Sequence, residues 1–304
     1  MEKSKSVICS TTKQKVILCK WIPENPKAIV QIIHGMAEHI ERYDEFASFL
    51  ANHGYAVVGA NHPGHGETVE VKGYFAKEDG WQKVLDDIHH IRIDMQKEFP
   101  NIPYFMFGHS MGSFLLRSYL QEHCCGITGA VISGTGYQAP ALVHIGSLIA
   151  HTQVLFGGDK KPSHLLNNMS FKAFNKTVAN PKTDFDWLSR DEHEVDKYIA
   201  DPYCGFPFTA GGFKDFFSGL KRIANEKGYK NTCKTTPLFF VSGACDPVGN
   251  MGCGVKCVFG HYKKLGFQNA SYKLYEGARH EILNEINRQE VFGDILQFLE
   301  NIVC

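Results

Sequence analysis

The pentapeptide Gly108-His109-Ser110-Met111-Gly112 carries the clearest chemistry in the chain. A serine hydroxyl is a weak nucleophile at neutral pH, so a protein that uses one must present it on an exposed turn beside a base. The apolar run Tyr104 to Phe107 ahead of it and the helical spacing from Gly112 to His123 behind it predict a strand, a sharp turn and a helix. Glycines on both sides suit such a turn, where a β-carbon would clash, and the serine would then stand at a helix N-terminus. Ser110 is therefore the expected nucleophile.

A base must take the serine proton, and a carboxylate must hold that base in one tautomer. On a sheet of this kind the acid and then the histidine follow the serine in the chain, each just past a later strand. Asp246 meets the first condition, directly after the run Pro237 to Cys245 and before Pro247, although an Asp opening a turn before Pro is also common without catalysis. His280, in Gly277-Ala278-Arg279-His280 between the last strand and the last helix, meets the second. The other histidines fit less well: His89, His90 and His123 fall on helices, His109 points away inside the elbow, and His62 and His65 flank Gly64 in a turn and read as structural. The negative charge that develops on an ester oxygen needs two N–H donors, expected from Met111 after the nucleophile and from Met36 in the loop His34-Gly35-Met36.

The elements that must position these residues are legible as an alternation. Ala28 to Ile33, Tyr55 to Ala60, Tyr104 to Phe107, Ala130 to Ser133, Pro237 to Ser242 and Ser271 to Tyr275 read as buried strands. Helical spacing falls between or after them, over Glu41 to Asn52, Trp81 to Phe99, Gly112 to His123, Gly212 to Glu226, Gly254 to Leu265 and Glu290 to Glu300. The pattern predicts an α/β protein with a mostly parallel central sheet flanked by helices. It breaks from Tyr137 to Phe206, which gives a core from residues 1–136 and 207–304 with residues 137–206 inserted.

Composition bounds the partner. The 304 residues hold 32 Lys plus Arg against 32 Asp plus Glu, with no long block of one sign, so charge predicts no nucleic acid partner and favours a small uncharged molecule. The polar start Met1 to Cys9 shows no secretory pattern and no run reaches about 18 apolar residues, so the expectation is a cytoplasmic protein whose ten cysteines are reduced thiols. Cys245, Cys253 and Cys257 lack paired knuckles and a fourth ligand, so no metal is expected.

The chain resembles the monoacylglycerol lipase and lysophospholipase group of α/β-hydrolases, which is also filed with serine aminopeptidases. The likeness rests on His34 to His39 with Arg42-Tyr43, on Asn61 to Gly66, on Gly108 to Gly112, on Ser242 to Gly249 and on Gly277 to Asn284. Asn61 stands where the family usually has Asp, in a turn without a catalytic role. The resemblance implies an α/β-hydrolase fold, an acyl-enzyme cycle on a lipid-like ester without a cofactor, and a cap over residues 137–206 that could touch a membrane surface transiently. Within that cap Leu148, Ile149, Leu155 and Phe156 are expected to line an acyl pocket, unless they only hold the cap together. Glu38 and Arg42 either read a polar head group or form an i,i+4 pair on a helix surface. An aminopeptidase or amidase on the same three residues, and a binding protein without turnover, remain the alternatives.

Overall fold

Apolar runs that alternate with amphipathic helices must stack into a sheet covered on both faces, because each strand is apolar on both sides. The computed structural model, which describes residues 1–230 and 232–303, has this arrangement. Its elements run β1 (Glu2–Cys9), β2 (Lys15–Ile22), β3 (Ala28–Ile33), α1 (Asp44–Asn52), β4 (Tyr55–Ala60), α2 (Gly80–Glu98), β5 (Tyr104–His109), α3 (Met111–His123) and β6 (Gly129–Ser133). Then follow α4 (Pro140–Gly157), α5 (His164–Phe171), α6 (Glu192–Ala200), α7 (Ala210–Ala224), β7 (Leu238–Gly243), α8 (Cys253–Lys264), β8 (Ala270–Tyr275) and α9 (Arg288–Val303).

The sheet order is β1-β2-β4-β3-β5-β6-β7-β8. From β4 to β8 every pairing is parallel, while β1 and β2 join antiparallel at one edge. Both strands of that edge hairpin are absent from the sequence reading; β1 is exposed on nearly every residue and so shows no apolar period. In the buried strands period two does the sorting: Ile29 and Ile33 of β3 join the core under α2, α3 and α7, whereas Val30 and Ile32 join the core under α1 and α9.

The chain order reverses where β3 lies between β4 and β5, and the carboxyl ends of β3 and β5 are neighbours there, with Ile33 opposite Gly108. Loops that leave two adjacent strand ends in opposite directions open a crevice, which is where sheets of this type hold their sites. α3 comes down onto this point so closely that a β-carbon on Gly112 would lie 2.0 Å from the Ile33 carbonyl oxygen. Between β6 and β7 lie α4, α5, α6 and α7, with α4 packed along α7.

One expectation changes. Cys124, at the end of α3, is joined to Cys233 ahead of β7, with their Cα atoms 5.6 Å apart across 109 residues. The reading of every cysteine as a reduced thiol failed because residues so far apart in sequence carry no local signal of their proximity.

The tight seat of α3 yields a prediction. Gly112→Ala drives a β-carbon into backbone that cannot swing aside, so thermal unfolding should show a Tm lower by roughly 2–5 °C, the effect of overpacking in a chain of this size. An unchanged Tm would show that β3 and α3 can separate at little cost.

Candidate active site

The turn between β5 and α3 holds Ser110 at φ 53° and ψ −120°, a region that a residue with a side chain seldom adopts. Such backbone costs about 1–3 kcal/mol and persists only where its surroundings enforce it. Here the Ser110 N–H donates to the Ser133 carbonyl at 2.9 Å, and the Ser113 N–H and hydroxyl both donate to the Ser110 carbonyl, at 2.9 and 2.6 Å. A β-carbon on Gly108 would meet the Gly112 carbonyl at 2.4 Å, so the flanking glycines are a steric necessity. As the first residue of α3, Met111 has one of the N–H groups that a helix start leaves without an internal acceptor.

Asp246 follows β7 and is fully buried. Its Oδ1 lies 3.0 Å from His280 Nδ1 and accepts the Val248 N–H at 2.8 Å, and its Oδ2 accepts the Ser242 hydroxyl at 2.9 Å. Burial alone would push this carboxyl upward, but the charge of His280 and these hydrogen bonds outweigh it and hold the group below the usual range. His280 is 3% exposed; burial pulls its imidazole down, and the Asp246 carboxylate more than reverses that, leaving it above the ordinary value. Trp187, between α5 and α6, lies 5.2 Å from the His280 ring centre to centre, and its carbonyl accepts the His280 N–H at 3.4 Å.

The loop after β3 is built from buried neutral rings. Burial lowers His62 to about 4 and His65 to about 3, and it carries His34 well below 6.5. The His34 ring packs 4.0 Å from that of His62 and accepts the His62 N–H at 3.0 Å. His65 Nε2 accepts the Ala37 N–H at 3.3 Å, and Ala37 sits at φ 53°. Sequence reasoning gave His65 a structural place but not this task, since the two residues are 28 positions apart.

Glu38 and Arg42 occupy the same neighbourhood in a different manner from a surface pair. Glu38 accepts the Gly35 N–H at 2.5 Å, the Tyr43 hydroxyl at 2.8 Å and Arg42 Nη1 at 2.7 Å. Arg42 then grips Glu281, the residue after His280, with two bonds of 2.7 Å. Burial opposes the Glu281 charge, but Arg42 overrides it and brings the carboxyl down to about 2, while burial dominates at Glu38 and raises it. Glu281 has no mark in the sequence beyond its place beside His280.

Two cavities meet at Ser110. One, of about 410 Å³, is bounded by Met36, Glu38, Ser110, Trp187 and His280, with Asn168 and Asp184 among its polar lining. The other, of about 360 Å³, runs from Ser110 past Phe114, Leu142, Val143, Ile145 and Phe217 and is mainly apolar. This corrects the choice of cap residues: Leu148, Leu155 and Phe156 are 70%, 77% and 83% exposed, Ile149 packs against the core, and none of them bounds either cavity. α4 turns Val143, Gly146, Ser147 and Ala150 inward, at spacings of three, four and seven, and the channel reaches only the first half of the helix, through Leu142, Val143, Ile145 and Gly146. Gly146 is the point of closest approach to α7, where a β-carbon would lie 2.3 Å from the Phe217 ring. Arg42 bounds neither cavity, and of that pair only Glu38 reaches the first.

Comparison with known proteins agrees with this geometry. The serine aminopeptidase S33 family matches residues 24–287. The chain is 26% identical over 288 residues to the monoglyceride lipase of Rattus norvegicus, covering 92% of this chain and 84% of that one. It is 24% identical over 288 residues to a phospholipase of Bacillus subtilis, covering 93% and 99%. Among solved structures it is similar to a thermostable carboxyl esterase from Bacillus coagulans in complex with glycerol, with a TM-score of 0.92, 27% identity and full coverage of both chains.

Arg42→Met would strand two buried carboxylates, so urea unfolding should report a loss of about 3–5 kcal/mol, the cost of breaking a buried pair from one side. A stability change below about 1 kcal/mol would mean that water reaches Glu38 and Glu281 and that the network is not structural.

Proposed function

The chain belongs to the serine aminopeptidase S33 family, and on that premise we propose that it is a serine hydrolase of carboxylic esters that acts on monoacylglycerols or lysophospholipid-like esters through an acyl-enzyme. The observation that carries the proposal is the fully buried Asp246 bonded to His280, whose ring bounds the same cavity as the strained Ser110. In this reading Asp246 keeps the Nδ1 proton on His280, and the free Nε2 takes the proton of Ser110 as its Oγ attacks the ester carbonyl. The Met36 and Met111 N–H groups receive the oxyanion, each donor being worth roughly 2.7–4 kcal/mol in comparable sites. His280 returns the proton to the leaving alcohol, and water then repeats the sequence on the acyl-enzyme.

The two cavities suit the two halves of such a substrate. The apolar channel along Phe114, Leu142, Val143 and Phe217 takes the acyl chain, and the cavity with Asn168, Asp184 and Glu38 takes the alcohol. Residues 137–206 form the cap in this reading. Among the described residues no helix is long and apolar enough to cross a membrane, yet α4 and α5 expose Leu148, Leu155, Phe156, Leu165 and Met169. An apolar helix face of this kind rests in a lipid interface, which would bring the channel mouth to its substrate.

Ser110→Ala should abolish hydrolysis of a monoacylglycerol panel and labelling by a fluorophosphonate while leaving Tm unchanged; residual turnover above a trace would remove the nucleophile from Ser110. For the pH dependence, the working form is neutral His280, whose pKa stands above the ordinary value of about 6.5. kcat/KM should therefore rise with pH through a midpoint above 6.5. Asp246→Asn removes the largest raising influences and leaves burial opposed only by the weaker charges of Glu281 and Glu38, so the midpoint should fall below that of the parent protein, with kcat down on the order of 10⁴. A midpoint that stays put in the variant would separate Asp246 from His280. Leu155→Glu with Phe156→Glu should weaken cosedimentation with lipid vesicles at least tenfold and spare hydrolysis of a soluble short-chain ester; equal vesicle binding would locate any membrane contact elsewhere.

A further inference from the structure

Arg117 lies on α3 about two turns beyond Ser110 and is 5% exposed. Its Nη1 donates to Thr135 Oγ1 at 3.2 Å and to the Gly136 carbonyl at 3.3 Å, and its guanidinium stands 5.9 Å from the Phe114 ring and 5.8 Å from that of Tyr262. The Nε is buried without an acceptor, and no carboxylate pairs with this cation among the described residues. A cation taken out of water and given only neutral partners carries a desolvation penalty that an anion would offset. Arg42, with its side chain 11% exposed, holds two carboxylates.

Arg117 is the buried end of a cleft of about 240 Å³ that lies apart from the catalytic residues. Pro140, Leu220, Ile223 and Val258 give the cleft apolar walls, and the exposed Tyr137 and Ala224 stand at its mouth. His261 and Glu226 form the rim, 3.7 Å apart, with the Glu226 side chain 71% exposed and turned to solvent. Tyr137, Gln138 and Leu220 also bound the apolar channel from Ser110, so cleft and channel share a wall.

We propose that this cleft binds a medium-chain alkyl carboxylate, with the carboxylate on Arg117 and the chain against Pro140, Leu220 and Ile223. A guanidinium matches the planar, two-oxygen carboxylate better than it matches a single acceptor. The volume admits on the order of eight water-sized groups, which suits a chain of that length and leaves a long acyl chain to the channel. The apolar walls favour such an amphiphile over a strongly hydrated inorganic anion. An acid of this class is the product of ester hydrolysis, so the identity of its source rests on the proposed function, while the site itself does not.

The test is calorimetric titration of the full chain with octanoate, with octan-1-ol and acetate as controls. Saturable one-to-one binding of octanoate is expected, at least tenfold tighter than that of octan-1-ol and, at about fourfold per buried methylene, at least a hundredfold tighter than that of acetate. Arg117→Met should weaken octanoate tenfold or more. Ala224→Trp, which fills the mouth and leaves Arg117 in place, should do the same. Octanoate affinity unchanged in a folded Arg117→Met variant would put the ligand in the Ser110 channel and overturn the proposal. Equal binding of octan-1-ol would reduce the cleft to an apolar hole, and equal binding of acetate would reduce it to an anion site; either result overturns the assignment. If Arg117→Met does not fold, Ala224→Trp decides alone: retained affinity refutes the site and lost affinity supports it. Because the readout is binding, an enzyme found inactive on esters would leave the result standing.

Discussion

Arg42 is the joint on which the geometry of the site depends. Through Glu38 it reaches the Gly35 N–H in the loop after β3, and through Glu281 it reaches the residue next to His280. Two loops far apart in sequence are thereby tied by charge-assisted hydrogen bonds in a place that water scarcely reaches. Positions on loops are otherwise the least determined in a fold, yet an oxyanion donor must be set to a fraction of an ångström. The bidentate grip sets the direction of Glu281 as well as its distance, and the Tyr43 hydroxyl completes the coordination of Glu38. The network makes the two loops one rigid body.

The strain at Ser110 is held by a different means. No charge is involved; backbone hydrogen bonds to Ser133 and Ser113 fasten the turn, and contact with β3 leaves no room for a β-carbon at Gly112. Ion pairs thus align the loops around Ser110, while close packing holds Ser110 itself. This division follows from distance: packing acts only at contact, whereas the long Arg42 side chain carries its charge from one loop to the other.

Arg42 and Arg117 show how much the setting of a cation matters. Both are buried, but only the first is neutralised by protein groups, and the second opens on a cleft with apolar walls. The stretch between β6 and β7 adds a third kind of surface. Its helix α4 turns one face to α7 and shows the opposite face, with Leu148, Leu155 and Phe156, to solvent.

The sequence by itself determined the strand and helix alternation, the elbow around Ser110 and the places of Asp246 and His280 after their strands. These depend on local matters: apolar runs of strand length, glycines where a side chain cannot fit, and polar residues at strand ends. It left the edge strand β1 unread, because a strand exposed on both faces has no apolar period. It assigned Leu148, Leu155 and Phe156 to a pocket, because an almost uniformly apolar helix does not reveal how much of its length lies against a cavity until partners such as Phe217 are placed beside it. Only the tertiary structure decided that Cys124 meets Cys233, that His65 supports Ala37 and that Arg42 links Glu38 to Glu281. Each of these contacts joins residues brought together by the winding of the chain around the sheet, and separation in sequence carries no record of such distances.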